Sequence, residues 1–354
     1  MAEETNHYGA TAARQHGRPG REVRPASMTI DMHSHVMVPE AAALVGPHVD
    51  LATVPLAHFA TPATQALNRK QDADRRPNML DIAVRLADMD AAGIDLQVIM
   101  PPPGQCTYTV PLELGVRAAQ IINDGMAAFV AQKPERFAAL GTVPMQDGAA
   151  AAAELERAMK QLGLKGVQIL TNVAGKELSD PAFAPFWARA EELGAVVLIH
   201  PNGFTEATRM TRFYFNNVVG NPLETTLALH YLIFDGVLER HPALKLIAVH
   251  GGGYLASYSG RIDHAWGART DAQGGLPQPP TTYLKRVFFD SVVFTPHQLR
   301  HLVEVFGAGQ ILMGTDYPYD MADSDPVGHL ASAGLDEATF AAIAGGNSRR
   351  LFGV

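Results

Sequence analysis

Ile30-Asp31-Met32-His33-Ser34-His35-Val36 is an apolar run that closes on two histidines, two residues apart. Successive side chains of a β-strand point to opposite faces, so a strand here sends both imidazoles to one side. Counting from Met28–His35, further runs of this kind follow at Leu96–Met100, Phe137–Val143 and Gly166–Leu170. AVVLIH (195–200) then ends in His200, LKLIAVH (244–250) ends in His250, Val287–Val292 carries Asp290, and QILMGTD (310–316) ends in Asp316. Helix-like stretches alternate with them: Asp81–Ala92, Pro111–Gln132, Gly148–Leu162, Asp180–Leu193, Pro222–Arg240, Tyr254–Trp266, Pro296–Phe306 and Asp336–Ala344. Several open on a capping residue or an early proline. Eight strands alternating with eight helices predict an α/β fold, the closed parallel (β/α)8 TIM barrel. The unbroken hydrophobicity of the runs fits a sheet covered on both faces. An open doubly wound sheet is the structural alternative, although no GxGxxG follows the first run.

Two regions fall outside the repeat. Val36–Asn78 reads as a long insertion after strand one, and Asn202–Asn221 as a long loop after strand five. In a barrel both overlie the C-terminal face, where catalytic groups gather. Residues 1–27 hold Arg14, Arg18, Arg21 and Arg24 and no apolar periodicity. They are expected to form a disordered or arm-like tail ahead of one barrel domain over 28–354.

Composition narrows the function classes. A net charge of −8 argues against nucleic acid or an anionic membrane surface as the main partner. No apolar run approaches the roughly 18 residues a membrane span needs, and nothing in the first residues resembles a signal peptide. The single cysteine, Cys106, has no internal disulfide partner, which suits a reducing cytoplasm.

In the expected barrel, His33, His35, His200, His250 and Asp316 all sit at strand ends and converge on one rim. Imidazole and carboxylate together suit zinc and similar divalent ions. Singly, each is an ordinary strand-edge polar residue; the joint placement is what points to a metal.

The pattern resembles the amidohydrolase superfamily: HxH on strand one, His on strands five and six, Asp on strand eight. The segments IDMHSH, LADMDAAGIDLQVI, VLIHPNG, HGGGYLASYSGRIDHAW, FFDSVVF, ILMGTDYPY and GNSRRLF are similar to its decarboxylase branch, the aminocarboxymuconate semialdehyde decarboxylase-like family. They span Met28 to Phe352. The resemblance implies His33, His35, His200 and Asp316 as metal ligands, with His250 as the catalytic acid/base and Asp316 assisting catalysis by sharing a hydrogen bond with the metal-bound water. Two-metal members usually bridge their ions with a carboxylated lysine or a glutamate ending strand four. Here that strand ends Ile169-Leu170-Thr171-Asn172, with Lys165 at its opposite end, so one ion is expected, zinc first, manganese or cobalt otherwise.

The resemblance also implies a nonoxidative decarboxylase of a small aromatic or unsaturated carboxylic acid, working without an organic cofactor. A metal hydrolase or hydratase acting on a lactone or unsaturated diacid is the alternative on the same scaffold, and a noncatalytic metal or ligand-binding protein is the third reading. Arg261, in the HGGG…GR run, is the candidate for the substrate carboxylate. In the family this arginine can reach the neighbouring subunit's site, which implies a homodimer. Arg75 and Arg76 lie near a second family arginine without matching its spacing cleanly. Asn202 and Phe204 flank Gly203 and are candidates to line the pocket, Asp290 to orient a ligand from behind. Cys106 reads as a buried thiol, and His264 as structural.

Overall fold

The computed structural model describes residues 18–354. Eight parallel strands form the frame: β1 (Ile30–His35), β2 (Leu96–Met100), β3 (Phe137–Ala139), β4 (Gly166–Leu170), β5 (Val196–His200), β6 (Lys245–Ala248), β7 (Phe288–Asp290) and β8 (Ile311–Leu312). They pair in two arcs, β1–β2–β3 and β4–β5–β6–β7–β8. Parallel bridges from Gly141 to Val167 and from Ser34 to Tyr317 join the arcs at both ends and close the barrel. The second join is reinforced where the Met32 N–H donates to Met313 O at 2.9 Å and the His35 N–H to Tyr317 O at 2.7 Å.

Alternation along the strands sorts the core into two sets. Ile30, Met32, Val98, Met100, Val196, Leu198, Ile247 and Leu312 pack together with Leu351 and Phe352. Their strand neighbours Val197, Ile199, Leu246 and Ile311 pack instead with helix residues such as Leu229 and Leu232. The first set therefore fills the barrel, with Leu351 and Phe352 stopping one end, and the second seals strands to helices. On β1 the register shifts between Asp31 and Ser34. That irregularity lets Met32 join the interior set while His33 and His35, further on, also face inward.

Helix boundaries follow local chemistry. Asp81 accepts from the N–H groups of Ala83 and Val84 and starts Ile82–Ala92, which Gly93 ends at φ 74°. The single helix expected over Pro222–Arg240 is two, Asn221–Phe234 and Val237–Arg240, because Gly236 between them turns left-handed at φ 76°. The last expected helix keeps Glu337–Ala341, widens into a π-turn and resumes as Asn347–Phe352. Between β1 and β2 lie the helices Pro39–Val45, Pro55–His58, Pro62–Asp74 and Arg76–Leu80, ahead of Ile82–Ala92.

Residues 1–17 of the expected tail lie outside the described residues. Residues 18–27 lie against the barrel: Arg24 grips both carboxylate oxygens of Asp95 at 2.8 Å, and Gly20 is buried against Asp325 and Gly328. Among the described residues no helix is long and apolar enough to cross a membrane.

Because Phe352 is buried in the set that fills the barrel, Phe352→Ala should cost about 3–5 kcal/mol of stability, the usual range for a buried phenylalanine. A lowered urea midpoint with an unchanged m-value is the expected readout.

Candidate metal centre and active-site cavity

β1, β5, the turn after β6 and the segment after β8 deliver His33, His35, His200, His250 and Asp316 to one rim of the barrel. All the ring centroids from His33 to its three histidine neighbours fall between 5.1 and 5.4 Å. Asp316 Oδ1 lies 3.0 Å from His35 Nε2, 3.4 Å from His33 Nε2 and 4.0 Å from His200 Nε2. Its other oxygen is 3.4 Å from His250 Nε2.

The outer nitrogens fix how the rings face. His33 Nδ1 is 2.8 Å from Asp290 Oδ2, His35 Nδ1 is 3.1 Å from Pro101 O, and His200 Nδ1 is 2.7 Å from Pro201 O. Carbonyl and carboxylate oxygens only accept, so all three Nδ1 atoms carry the hydrogen. Burial lowers the proton affinity of His35 and brings His200 down to about 3. Both rings are then neutral, with their Nε2 lone pairs turned inward. His200 Nε2 is buried without a hydrogen-bond partner.

Burial also works against protonation of His33, but the charges of Asp316 and Asp290 and the Asp290 hydrogen bond raise its pKa. Asp316 is pushed up by burial, yet the His33 charge and its contacts with His200, His250 and His35 hold it well below the ordinary carboxylate range. The cluster thus favours positive charge at its centre. An orphaned buried nitrogen, converging lone pairs and an ionised carboxylate fit a divalent cation with nitrogen and oxygen ligands.

The donor atoms of His33, His200, His250 and Asp316 lie within 4.8 Å of one another and could hold a cation. The expected set has His35 in place of His250. His35 is fully buried, tied at Nδ1, and aims Nε2 to within 3.2 Å of His33 Nε2. The side chain of His250 is 16% exposed and faces the cavity. His35 is thus the more enclosed of the two imidazoles and His250 the one open to the cavity.

Backbone strain marks the same residues. His250 and Asp316 are left-handed, at φ 55° and 64°, although neither is glycine. Gly251, Gly252 and Gly253 continue the turn at positive φ. A Cβ on Gly252 would lie 2.6 Å from the Phe289 ring, and one on Gly253 2.1 Å from Pro222 O, so bare backbone is what lets His250 reach the rim. Asp290 ties this turn to β1, since one oxygen accepts from the Gly251 N–H at 2.8 Å while the other holds His33.

A cavity of about 480 Å³ opens over His200, His250 and Asp316. Arg75 lines it, only 8% exposed, with its guanidinium 4.9 Å from the centre of the Tyr319 ring and 3.9 Å from Asp320. Tyr214, Tyr254 and Phe294 supply aromatic wall, and Asn202 also lines the cavity. Phe204 does not line it: its N–H donates to Asn216 Oδ1 at 2.7 Å and its Cβ lies against Gly220. Arg261 is exposed on the helix Leu255–Ala268 and stands outside this cavity, and Arg76 is exposed as well. Cys106 is buried beside Thr142 and Gln168, and burial raises its pKa. Tyr214, Tyr319 and Asp320 escape sequence reading; the only clue is the ILMGTDYPY segment, which carries Tyr319 three residues beyond Asp316.

The family model described as amidohydrolase matches residues 30–354, and the chain belongs to that family. Among curated relatives, the 2-amino-3-carboxymuconate-6-semialdehyde decarboxylase of Dictyostelium discoideum is 33% identical over 93% of this chain and 92% of its own. The crystal structure of 5-carboxyvanillate decarboxylase from Sphingomonas paucimobilis superposes with a TM-score of 0.81, at 30% identity, over 92% of this chain and 99% of its own. A dihydroxybenzoic acid decarboxylase from a Polaromonas species, solved with bound manganese and the inhibitor 2-nitroresorcinol, shares the fold at a TM-score of 0.79 and 23% identity, over 92% of this chain and 97% of its own.

Asp290→Asn keeps the shape behind His33 but removes the charge. It should weaken metal affinity about 10- to 100-fold, the usual cost of losing a group that orients a ligand. Competition against a chromophoric chelator measures it.

Proposed function

We propose that this chain is a metal-dependent nonoxidative decarboxylase of a small aromatic or unsaturated carboxylic acid. The observation that carries this is the convergence of three oriented imidazoles and an ionised Asp316 beneath a cavity walled by aromatic rings and one buried guanidinium. His33, His35, His200 and Asp316 would hold one divalent ion, zinc first for such a donor set. Manganese, which the Polaromonas relative carries, is the competing ion. When bound, such an ion polarises a substrate oxygen and lowers the pKa of an adjacent water.

The chain's own groups supply the rest. Arg75 draws the anionic substrate into the cavity by charge, and Tyr214, Tyr254 and Phe294 offer ring faces to a flat acid. As the carbon–carboxylate bond breaks, its electron pair stays on the substrate carbon and CO2 leaves. His250, the exposed imidazole of the cluster, delivers the proton that this carbon then takes. Asp316 Oδ2, 3.4 Å from His250 Nε2, steadies the charged imidazole. No organic electron sink is needed. Arg261 stands outside its own chain's cavity, and we propose that it completes the carboxylate site of a second copy in a homodimer. A reducing cytoplasm is the compartment we propose, on the lone buried thiol.

Incubation with a panel of hydroxybenzoic, carboxyvanillic and muconate-type acids should release CO2. No release from any of them, alongside turnover of a lactone or hydration of a diacid, overturns the decarboxylase reading. His250→Ala should retain the metal and lose at least about 10²-fold in kcat. His200→Ala should lose the metal itself, read by elemental analysis.

A further inference from the structure

Behind the cluster, away from the cavity, lies a buried polar chain that the reaction does not use. Asp31, Arg85 and Gln97 are all at most 2% exposed. Asp31 accepts four hydrogen bonds: from the His33 N–H at 3.1 Å, the Thr315 N–H at 3.0 Å, the Thr315 hydroxyl at 2.7 Å and Gln97 Nε2 at 2.9 Å. Gln97 Oε1 in turn accepts from Arg85 Nη1 at 3.0 Å. The other end of Arg85 donates to the carbonyls of His35 and Asn78.

These contacts straddle the seam between β1 and β8. His33 and His35 stand on one side of it and Asp316 on the other, and Thr315 immediately precedes Asp316. A left-handed aspartate is held there only if its neighbours are pinned. Asp31 pins both flanks at once.

The chain also has a fixed polarity. Arg85 can only donate and an ionised Asp31 can only accept, so the Gln97 amide has one satisfactory orientation. We propose that Asp31, backed by Gln97 and Arg85, is a positioning residue that sets the spacing of His33 and Asp316 and so governs how tightly the metal is kept. The inference rests on the metal site proposed above.

In Asp31→Asn the new amide nitrogen meets a donor: either Gln97 faces it with nitrogen, or Gln97 turns and faces Arg85 with nitrogen. Adding Gln97→Glu to Asp31→Asn restores the polarity, because the carboxylate then at position 97 accepts both from the new amide and from Arg85. Zinc dissociation constants by chelator competition, with kcat, KM and urea midpoints, decide the matter. Asp31→Asn should weaken zinc retention about 10-fold or more, and the double variant should recover most of it. Wild-type zinc retention in Asp31→Asn overturns the proposal, as does a double variant that matches the wild-type urea midpoint yet holds zinc no better than the single one. If Asp31→Asn does not fold, Thr315→Val removes one of the four donors at nearly constant volume. Zinc binding weakened several-fold in that variant supports the proposal, and unchanged binding overturns it. His200→Ala is the control: zinc retained there refutes the metal site itself, whereas zinc lost there but kept in Asp31→Asn refutes only the positioning role.

Discussion

Like-signed electron density drawn to one point is the constraint on which this molecule turns. Imidazole lone pairs of His35 and His200 face the Asp316 carboxylate across 3.0 and 4.0 Å in a buried setting. Such an arrangement is unfavourable unless positive charge sits among them. The surrounding fold is organised to impose it. Carbonyls of Pro101 and Pro201 and the carboxylate of Asp290 lock the outer nitrogens, three consecutive glycines carry the His250 turn close to the barrel, and a left-handed backbone aims Asp316. Stability is spent at the rim, and it is recovered in the two apolar sets that fill and sheath the barrel.

Much of this was legible in the chain. The period of apolar runs gives the number and order of strands, and β2 and β4 agree with the reading to the residue. The two runs that end in His250 and Asp316 read longer in the sequence than their strands are, because both residues leave the ladder through left-handed turns that no hydrophobic period reports. Asp290 could be read from the sequence either as a residue that orients a metal ligand or as a buried structural carboxylate; its contact with His33 Nδ1 depends on how β7 lies against β1, which no local pattern reports.

What was not legible depends on long-range packing. Arg75 and Arg76 are neighbours of the same chemistry, yet one is buried against Tyr319 and lines the cavity while the other is exposed. Only the course of the helices between β1 and β2 decides between them. Phe204 fails for a similar reason: Asn216 and Gly220 capture it, and both belong to a turn whose π-helical geometry carries no sequence signature. Gly236 splits a helix whose apolar pattern runs straight through it.

Leu351 and Phe352 stop the barrel from the end opposite the rim, and β1 meets β8 across almost 300 residues of intervening chain. During synthesis, therefore, the first histidines must wait for nearly the whole polypeptide before their carboxylate partner arrives. The emerging β1 edge stands unpaired on its Tyr317 side for all of that time, a template for wrong pairing. Closure of the barrel is therefore a late event, and the longer the far segment takes to arrive, the longer that edge stays open to other strands.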